Sequence, residues 1–262
     1  MKHVTIERDG PISVVSFDRG YAANPFSYDL MRELTDAARG FEDDFETSAI
    51  VLTGRQDNFS MGFDLSDSET TRLKGAGLAE RRQAAIVGRR MCQAWEDLQP
   101  LTISAIEGWC VGGGVALAVA TDLRVVSQNA GLYVPEIERG LNMSWGSVPR
   151  ITNLVGPARA KRVVILAEKL MADRAVDWGL ADEIAVEGST RDSALQLASR
   201  AASMPVVALR ICKQDINNYA NALAAVSSHT DYDQFTLTQG SEDADEGIDA
   251  FLEKRPPKFT GQ

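Results

Sequence analysis

Cysteine, histidine and long apolar runs are scarce in this sequence, and each scarcity removes a class of function. The three cysteines, Cys92, Cys110 and Cys212, make no disulfide framework and no CxxC pair, and the two histidines, His3 and His229, stand far from them. Nothing has the spacing of a metal site, so no metal is expected, and unpaired thiols suit a reducing compartment. No apolar run approaches membrane-spanning length. The N-terminal MKHVTIERDGPISVVSF alternates like a strand, where a signal peptide would carry a charged flank and an apolar core. The expected location is the cytoplasm, without a membrane partner. Basic residues are also outnumbered: 27 Lys and Arg against 37 Asp and Glu give a formal net charge of -10, which disfavours nucleic acid and anionic lipid as partners.

What is present is a chain of 262 residues, 44% hydrophobic and 24% charged, enough for one substantial core. It centres on Ile103 to Asp122, ISAIEGWCVGGGVALAVATD. Gly112, Gly113 and Gly114 interrupt an apolar run where a β-branched strand (Thr102, Ile103, Ile106) hands over to a helix of small residues, Val115 to Ala120. Positions without side chains let the backbone turn tightly and aim its N–H groups at a ligand oxygen, beside the positive end of the helix. A tight turn before a buried helix explains the same pattern. The triplet is not GxGxxG, and no following strand carries a ribose-binding acid in the usual place, so a dinucleotide site is weakly supported.

Along the chain, Val4 to Phe17 reads as a hairpin about Arg8-Asp9-Gly10-Pro11. A first amphipathic helix follows, capped by Ser27 and marked by Leu30, Leu34, Ala37 and Phe41. Glu42, Asp43, Asp44 and Glu46 read as a solvated helix end, and Ala49 to Thr53 as a buried strand closed by Gly54. Asn58 to Leu65 is a turn in which Gly62 permits a left-handed position and offers a second amide donor. Ser66 to Gly77 is polar with no firm period. Leu78 to Leu98 is a long helix whose Arg81, Arg82, Arg89 and Arg90 form either a solvated face or a patch for a phosphate-bearing cofactor. Strands follow at Leu123 to Val126 and Ala130 to Val134, then a helix broken at Gly156-Pro157. A turn is expected over Met171 to Ala175, a short helix over Val176 to Gly179, a short strand over Leu180 to Ala185 and a flexible junction at Glu187 to Thr190. Helices fill the last third. The whole is a layered α/β chain: a core over residues 1–190 holding the site, and a helical region over 191–262.

Several pieces carry a resemblance: Asn24, then Phe59-Ser60-Met61-Gly62-Phe63-Asp64-Leu65, then Ile106 to Leu117 with Asp122, then Pro135-Glu136-Ile137 with Gly140-Leu141, then Ala175 to Leu180. In this order and spacing the chain resembles the crotonase superfamily, the enoyl-CoA hydratase and isomerase family, over nearly its whole length. The resemblance implies a spiral of repeated ββα units, a helical C-terminal trimerisation region, and a homo-trimer or dimer of trimers. It implies an acyl-CoA thioester as substrate, with coenzyme A entering as part of that substrate and no permanently bound cofactor. The thioester carbonyl is then held by the backbone N–H groups of Phe63 and Gly113, with Ala23, Met61, Asp64, Leu65, Gly112, Pro135, Leu141 and Ser144 contacting the substrate. Amides fixed in a desolvated pocket stabilise an enolate more than the ground state, and the Phe63 ring can wall the pocket against water.

A hydratase of this family resembles a site with two glutamates. Here the first position is Ala116, and the second is Glu136, behind Pro135. A helix cap or solvated loop residue is the plain alternative for Glu136, yet a base beside an enolate-stabilising hole is what proton abstraction requires. Glu138 is a candidate replacement for the missing acid, and Asn142 and Ser144 are candidates to orient a substrate oxygen or water. One carboxylate is enough to move a proton from one carbon to another, so the expectation is an enoyl-CoA isomerase-like shuttle through Glu136. Hydration of a 2-enoyl-CoA is the alternative, and a non-catalytic acyl-CoA binder the more distant one. Dehalogenation by carboxylate attack would need an aspartate near Ser144, and that stretch has none.

Overall fold

The computed structural model describes residues 1–262, the side chain of Lys74 excepted. β1 (Val4–Asp9) and β2 (Ile12–Phe17) form the expected antiparallel hairpin. α1 (Tyr28–Arg39) is capped by Ser27, whose hydroxyl accepts from Leu30 N–H, and it buries Leu30, Met31, Leu34, Ala37 and Ala38. Each large side chain of that stripe contributes about 1.5–3 kcal/mol by leaving water.

From there each strand pair is divided between two sheets. β3 (Ala49–Thr53), β5 (Leu101–Ile106) and β7 (Leu123–Ser127) continue the first sheet from β2 in parallel, and β10 (Glu183–Ala185) closes it, in the order β1-β2-β3-β5-β7-β10. β4 (Asn58–Ser60), β6 (Trp109–Val111) and β8 (Gly131–Tyr133) build a second, smaller parallel sheet, which β9 (Leu170–Met171) joins antiparallel. One strand of each successive pair therefore enters each layer, and the helices between pairs, α3 (Leu78–Glu96), α4 (Gly113–Ala118) and α5 (Ser147–Val164), return the chain for the next turn. This is a spiral of ββα units. α5 is broken where expected, at Gly156 (φ 77°) before Pro157.

Three local expectations change. The polar stretch after Leu65 contains a short helix, α2 (Ser68–Lys74), started by Asp67, whose carboxylate accepts from Glu69 N–H. α6 (Ala172–Trp178) begins at Ala172, taking in the residues expected to form a turn. The junction before the helical region is pinned: buried Glu107 accepts from both the N–H and the hydroxyl of buried Thr190.

The last third is helical: α7 (Thr190–Ala202), α8 (Val206–Ala220), α9 (Ala224–Ser228), α10 (Asp231–Gln239) and α11 (Glu242–Glu253). α7 packs Ala194, Ala198 and Ala201 onto Val51, Ile103, Ala105 and Val125 of the first sheet. α8 is tied to the core by buried Lys213, which donates to Pro100 O at 2.7 Å and pairs with Asp122 at 2.6 Å. Apolar side chains nonetheless stand in solvent along α8 and beyond, among them Ile211, Ile216, Tyr219, Leu223, Val226 and Leu237.

Candidate active site

The glycine triplet lies where the second sheet hands over to α4. β6 ends at Val111, Gly112 turns at φ 51° with its N–H on Tyr133 O (2.8 Å), and α4 opens at Gly113. Gly113 N–H sits in the first turn of the helix, where an amide has no intrahelical acceptor. Facing it is the segment after β4. Phe26 N–H donates to Gly62 O (2.7 Å) and Asp64 N–H to Phe26 O (2.9 Å), a parallel bridge between Phe26 and Phe63. In such a bridge the middle residue's own N–H points to the other side of the segment, so Phe63 N–H is free for a ligand. Gly62, which precedes the Phe63 amide, approaches the other donor: a Cβ on it would fall 3.9 Å from Gly113 N. Gly62 carries φ 93°, a conformation open to glycine at little cost.

Glu136 starts the turn Glu136–Arg139 immediately after β8 and Pro135. A Cβ on Gly112 would lie 2.5 Å from its Oε1, so the carboxylate rests on the bare Cα of the glycine beside the Gly113 amide. Its Oε2 is sealed from solvent and has no hydrogen-bond partner. Burial pushes the carboxyl up to about 7, partly offset by a backbone hydrogen bond and by Arg139. It is therefore an acid–base group poised near neutrality, with Oε2 left unengaged.

The other residues singled out in the sequence divide into two groups. Ala23 and Met61 run together at the rim, Met61 N–H donating to Ala23 O at 2.9 Å, and Met61 and Leu65 are exposed. Leu141 is buried and folds back so that its N–H meets Glu136 O at 3.0 Å. Ser144 is buried at the start of the loop before α5, its carbonyl accepting from Ser147 N–H at 3.2 Å. Asp64, by contrast, is committed within the protein: it accepts from Ser66 N–H and hydroxyl, from Arg19 at 3.2 Å and from Tyr21. Its carboxylate shapes the loop that presents Phe63.

Ala116 is fully buried inside α4, and Glu138 does not replace the acid absent there. Glu138 is exposed and accepts from the Tyr133 hydroxyl. Asn142 is likewise engaged, accepting from the Thr238 hydroxyl at 2.8 Å. The arginine face of α3 is partly docked: Arg82 pairs with Asp233 at 2.7 Å and meets the Tyr232 hydroxyl, and Arg89 reaches Ser228 O and Asp231 on the C-terminal helices. A phosphate patch built from all four is thereby reduced to Arg81 and Arg90, which stay exposed.

Two further residues frame the site. Asn24, buried at φ 41°, donates to Phe17 O (3.2 Å) and Phe59 O (2.9 Å) and accepts from Arg19 N–H, locking the rim loop to both sheets. Trp145 stands at φ 60°, a left-handed conformation costing a bulky residue about 1–2 kcal/mol, and its ring packs against Gly113, Gly88 and Phe26. No group of three His, Cys, Asp or Glu able to hold a metal occurs among the described residues, and no helix among them is long and apolar enough to cross a membrane.

Comparison with known proteins matches residues 7–262 to the family described as enoyl-CoA hydratase/isomerase. The chain is similar to a short-chain-enoyl-CoA hydratase of Clostridium acetobutylicum, at 28% identity over 97% of this chain and 96% of that one. It is also similar to a 2,3-dehydroadipyl-CoA hydratase of Escherichia coli, at 29% identity over the full length of both. Among solved structures, a carnitinyl-CoA hydratase from Mycobacterium avium superposes with a TM-score of 0.85 at 28% identity, covering 100% of each chain. An enoyl-CoA hydratase from M. avium subsp. paratuberculosis reaches 0.87 at 22% identity, covering 98% of each, and shares the spiral fold.

Proposed function

This chain belongs to the enoyl-CoA hydratase/isomerase family, the crotonase superfamily, and from that premise we propose that it adds water reversibly to a 2-enoyl-CoA thioester, using Glu136 as its one acid–base carboxylate. The coarser statement follows from membership: it is an acyl-CoA-modifying enzyme of the crotonase kind. The short-chain-enoyl-CoA, 2,3-dehydroadipyl-CoA and crotonyl-CoA hydratases to which it is similar carry that activity in their names, which favours water addition over the isomerase reading drawn from Ala116.

The observation that carries the proposal is the enclosed Glu136 carboxylate, raised to about 7 and resting on Gly112 beside the Gly113 amide. In the proposed reaction the thioester oxygen lies on Phe63 N–H and Gly113 N–H. Glu136 takes a proton from water as the water oxygen attacks C3, and the C2–C3 π electrons move onto the thioester oxygen as an enolate. The same carboxyl then returns that proton to C2, so water's hydroxyl ends on C3, its proton on C2, and Glu136 is regenerated. Each amide donor in such a hole lowers the barrier by about 3–4 kcal/mol. A group near pH 7 can serve in both halves, because neither its acid nor its base form is scarce. Counting carboxylates therefore does not decide between the two reactions.

The second reading, isomerisation, is favoured by one observation, the alanine at position 116. There Glu136 would take a proton from C2 of a 3-enoyl-CoA and return it at C4. The test offers a 2-enoyl-CoA and a 3-enoyl-CoA separately to the native protein and to Glu136→Gln. Loss of the conjugated thioester's ultraviolet absorbance, with a 3-hydroxyacyl product, supports hydration. Migration of the 3-enoyl double bond without hydration overturns it in favour of the shuttle. We infer in addition that three copies assemble through the apolar surface of the C-terminal helices.

A further inference from the structure

Gly112 and Gly113 form a bare floor with a different group against each Cα. A Cβ on Gly112 would strike Glu136 Oε1 at 2.5 Å, and one on Gly113 would strike Trp145 Cζ3 at 2.6 Å. The indole is also seated in α3, where a Cβ on Gly88 would fall 2.0 Å from Trp145 Cε2. Its third face meets Phe26 edge-on, with ring centroids 6.3 Å apart.

Trp145 does not rest there by default. Its left-handed backbone is clamped from both sides of the peptide: Arg150, paired to Glu96 at 2.7 and 2.9 Å, donates to Trp145 O at 2.9 Å, and Gly146 N–H donates to buried Asp231 at the start of α10. A strained tryptophan held by two buried ionic residues, against a helix glycine that leaves it room, is a fixed wall. The rim residues Met61 and Leu65 lie at the open edge of the site, whereas the indole lies inward, between α3 and α4. A thioester whose oxygen sits on Gly113 and whose C2 meets Glu136 thus runs its acyl chain toward the indole.

We propose that Trp145 is a specificity-determining residue that ends the acyl pocket and restricts the substrate to short acyl-CoA esters. This rests on the site being an acyl-CoA site as proposed above, but not on which reaction occurs there. It is tested by binding, which is independent of turnover. Calorimetric titration of the native protein with butanoyl-, hexanoyl- and octanoyl-CoA should show affinity that stops rising, or falls, beyond the shorter chains. In Trp145→Ala and in the milder Trp145→Leu, the octanoyl ester should gain about tenfold or more relative to butanoyl, because added methylenes now find apolar surface. Gly88→Ala should weaken hexanoyl-CoA binding in the native background and matter little when Trp145 is alanine. Affinity rising equally with chain length in native and both variant proteins overturns the proposal, as does a gain that is the same for all three esters. Normal binding of butanoyl-CoA without turnover of any enoyl ester would instead count against the reaction and leave the wall intact.

Discussion

Oε1 of Glu136 lies 2.5 Å from where a Cβ on Gly112 would stand. The first glycine of the triplet is thus fixed twice over, by its backbone (φ 51°, ψ -111°) and by the carboxylate resting on it. Gly112→Ala should destabilise the fold by about 1–2 kcal/mol through the left-handed backbone. It should lower kcat by about 100-fold or more, since a displacement of about 1 Å at the reacting group costs that much. Thermal melting and steady-state kinetics on a 2-enoyl-CoA check the two parts separately. A folded variant with native kcat would show that the carboxylate need not rest where it does.

Glu136→Gln should lower turnover by roughly 100- to 10,000-fold while leaving affinity for a saturated acyl-CoA nearly unchanged. The native pH profile should lose activity as pH falls through about 7, because the base is then protonated. The sign for stability is opposite to that of an ordinary ion-paired carboxylate. Between the ordinary glutamate value of 4.5 and about 7, the folded state keeps a proton that the unfolded state has released. Stability therefore falls as pH rises through that window, by at most about 3 kcal/mol. Denaturant titrations from pH 4 to 8 should show this slope in the native protein and a flatter one in Glu136→Gln, leaving the variant the more stable of the two at pH 8.

Ile211, Ile216, Tyr219 and Leu223 on and after α8 are all more than half exposed, a density of large apolar groups that a monomer seldom leaves uncovered. Light scattering should give three chains per particle, or six. Pairing Ile216→Asp with Tyr219→Asp should shift the particle toward a monomer without unfolding it, since neither side chain contributes to the core. A native protein that stays monomeric across concentrations would remove the assembly from the proposal.

The parts of the fold legible in the sequence are those governed by near neighbours. The Val4 to Phe17 hairpin, the Ser27 cap, the strand at Ala49, the long helix from Leu78 and the break at Gly156 each follow from period, cap or turn chemistry within a few residues. The second sheet was not separable in this way. Its strands are two or three residues long, and Cys110 pairs with Ser60 and Leu132 across wide sequence gaps. α2 was hidden because Leu73 is its one apolar residue, too few to set a helical period. At the site, Phe63, Gly113 and Glu136 were named through the resemblance, with the glycine pattern pointing the same way. That Asp64 faces Arg19 and that Gly88 makes room for Trp145 are facts of long-range packing, to which no local pattern is sensitive.

The amide of Gly113 needs a test that separates its N–H from the space beside it. Any side chain at this position meets the indole of Trp145 at 2.6 Å, so Gly113→Ala and Gly113→Pro share a steric defect. Only proline also removes the donor, and the first position of a helix otherwise accepts proline well. If Gly113 N–H holds the developing oxyanion, Gly113→Pro should fall about 100- to 1,000-fold below Gly113→Ala in kcat. Making both changes in a Trp145→Ala background should relieve the shared defect and keep the gap between them. Phe63→Ala retains its N–H and loses only the ring that meets Tyr28 edge-on at 5.5 Å, so it should change KM more than kcat. Equal kcat for the alanine and proline variants in either background would assign the oxyanion to other donors.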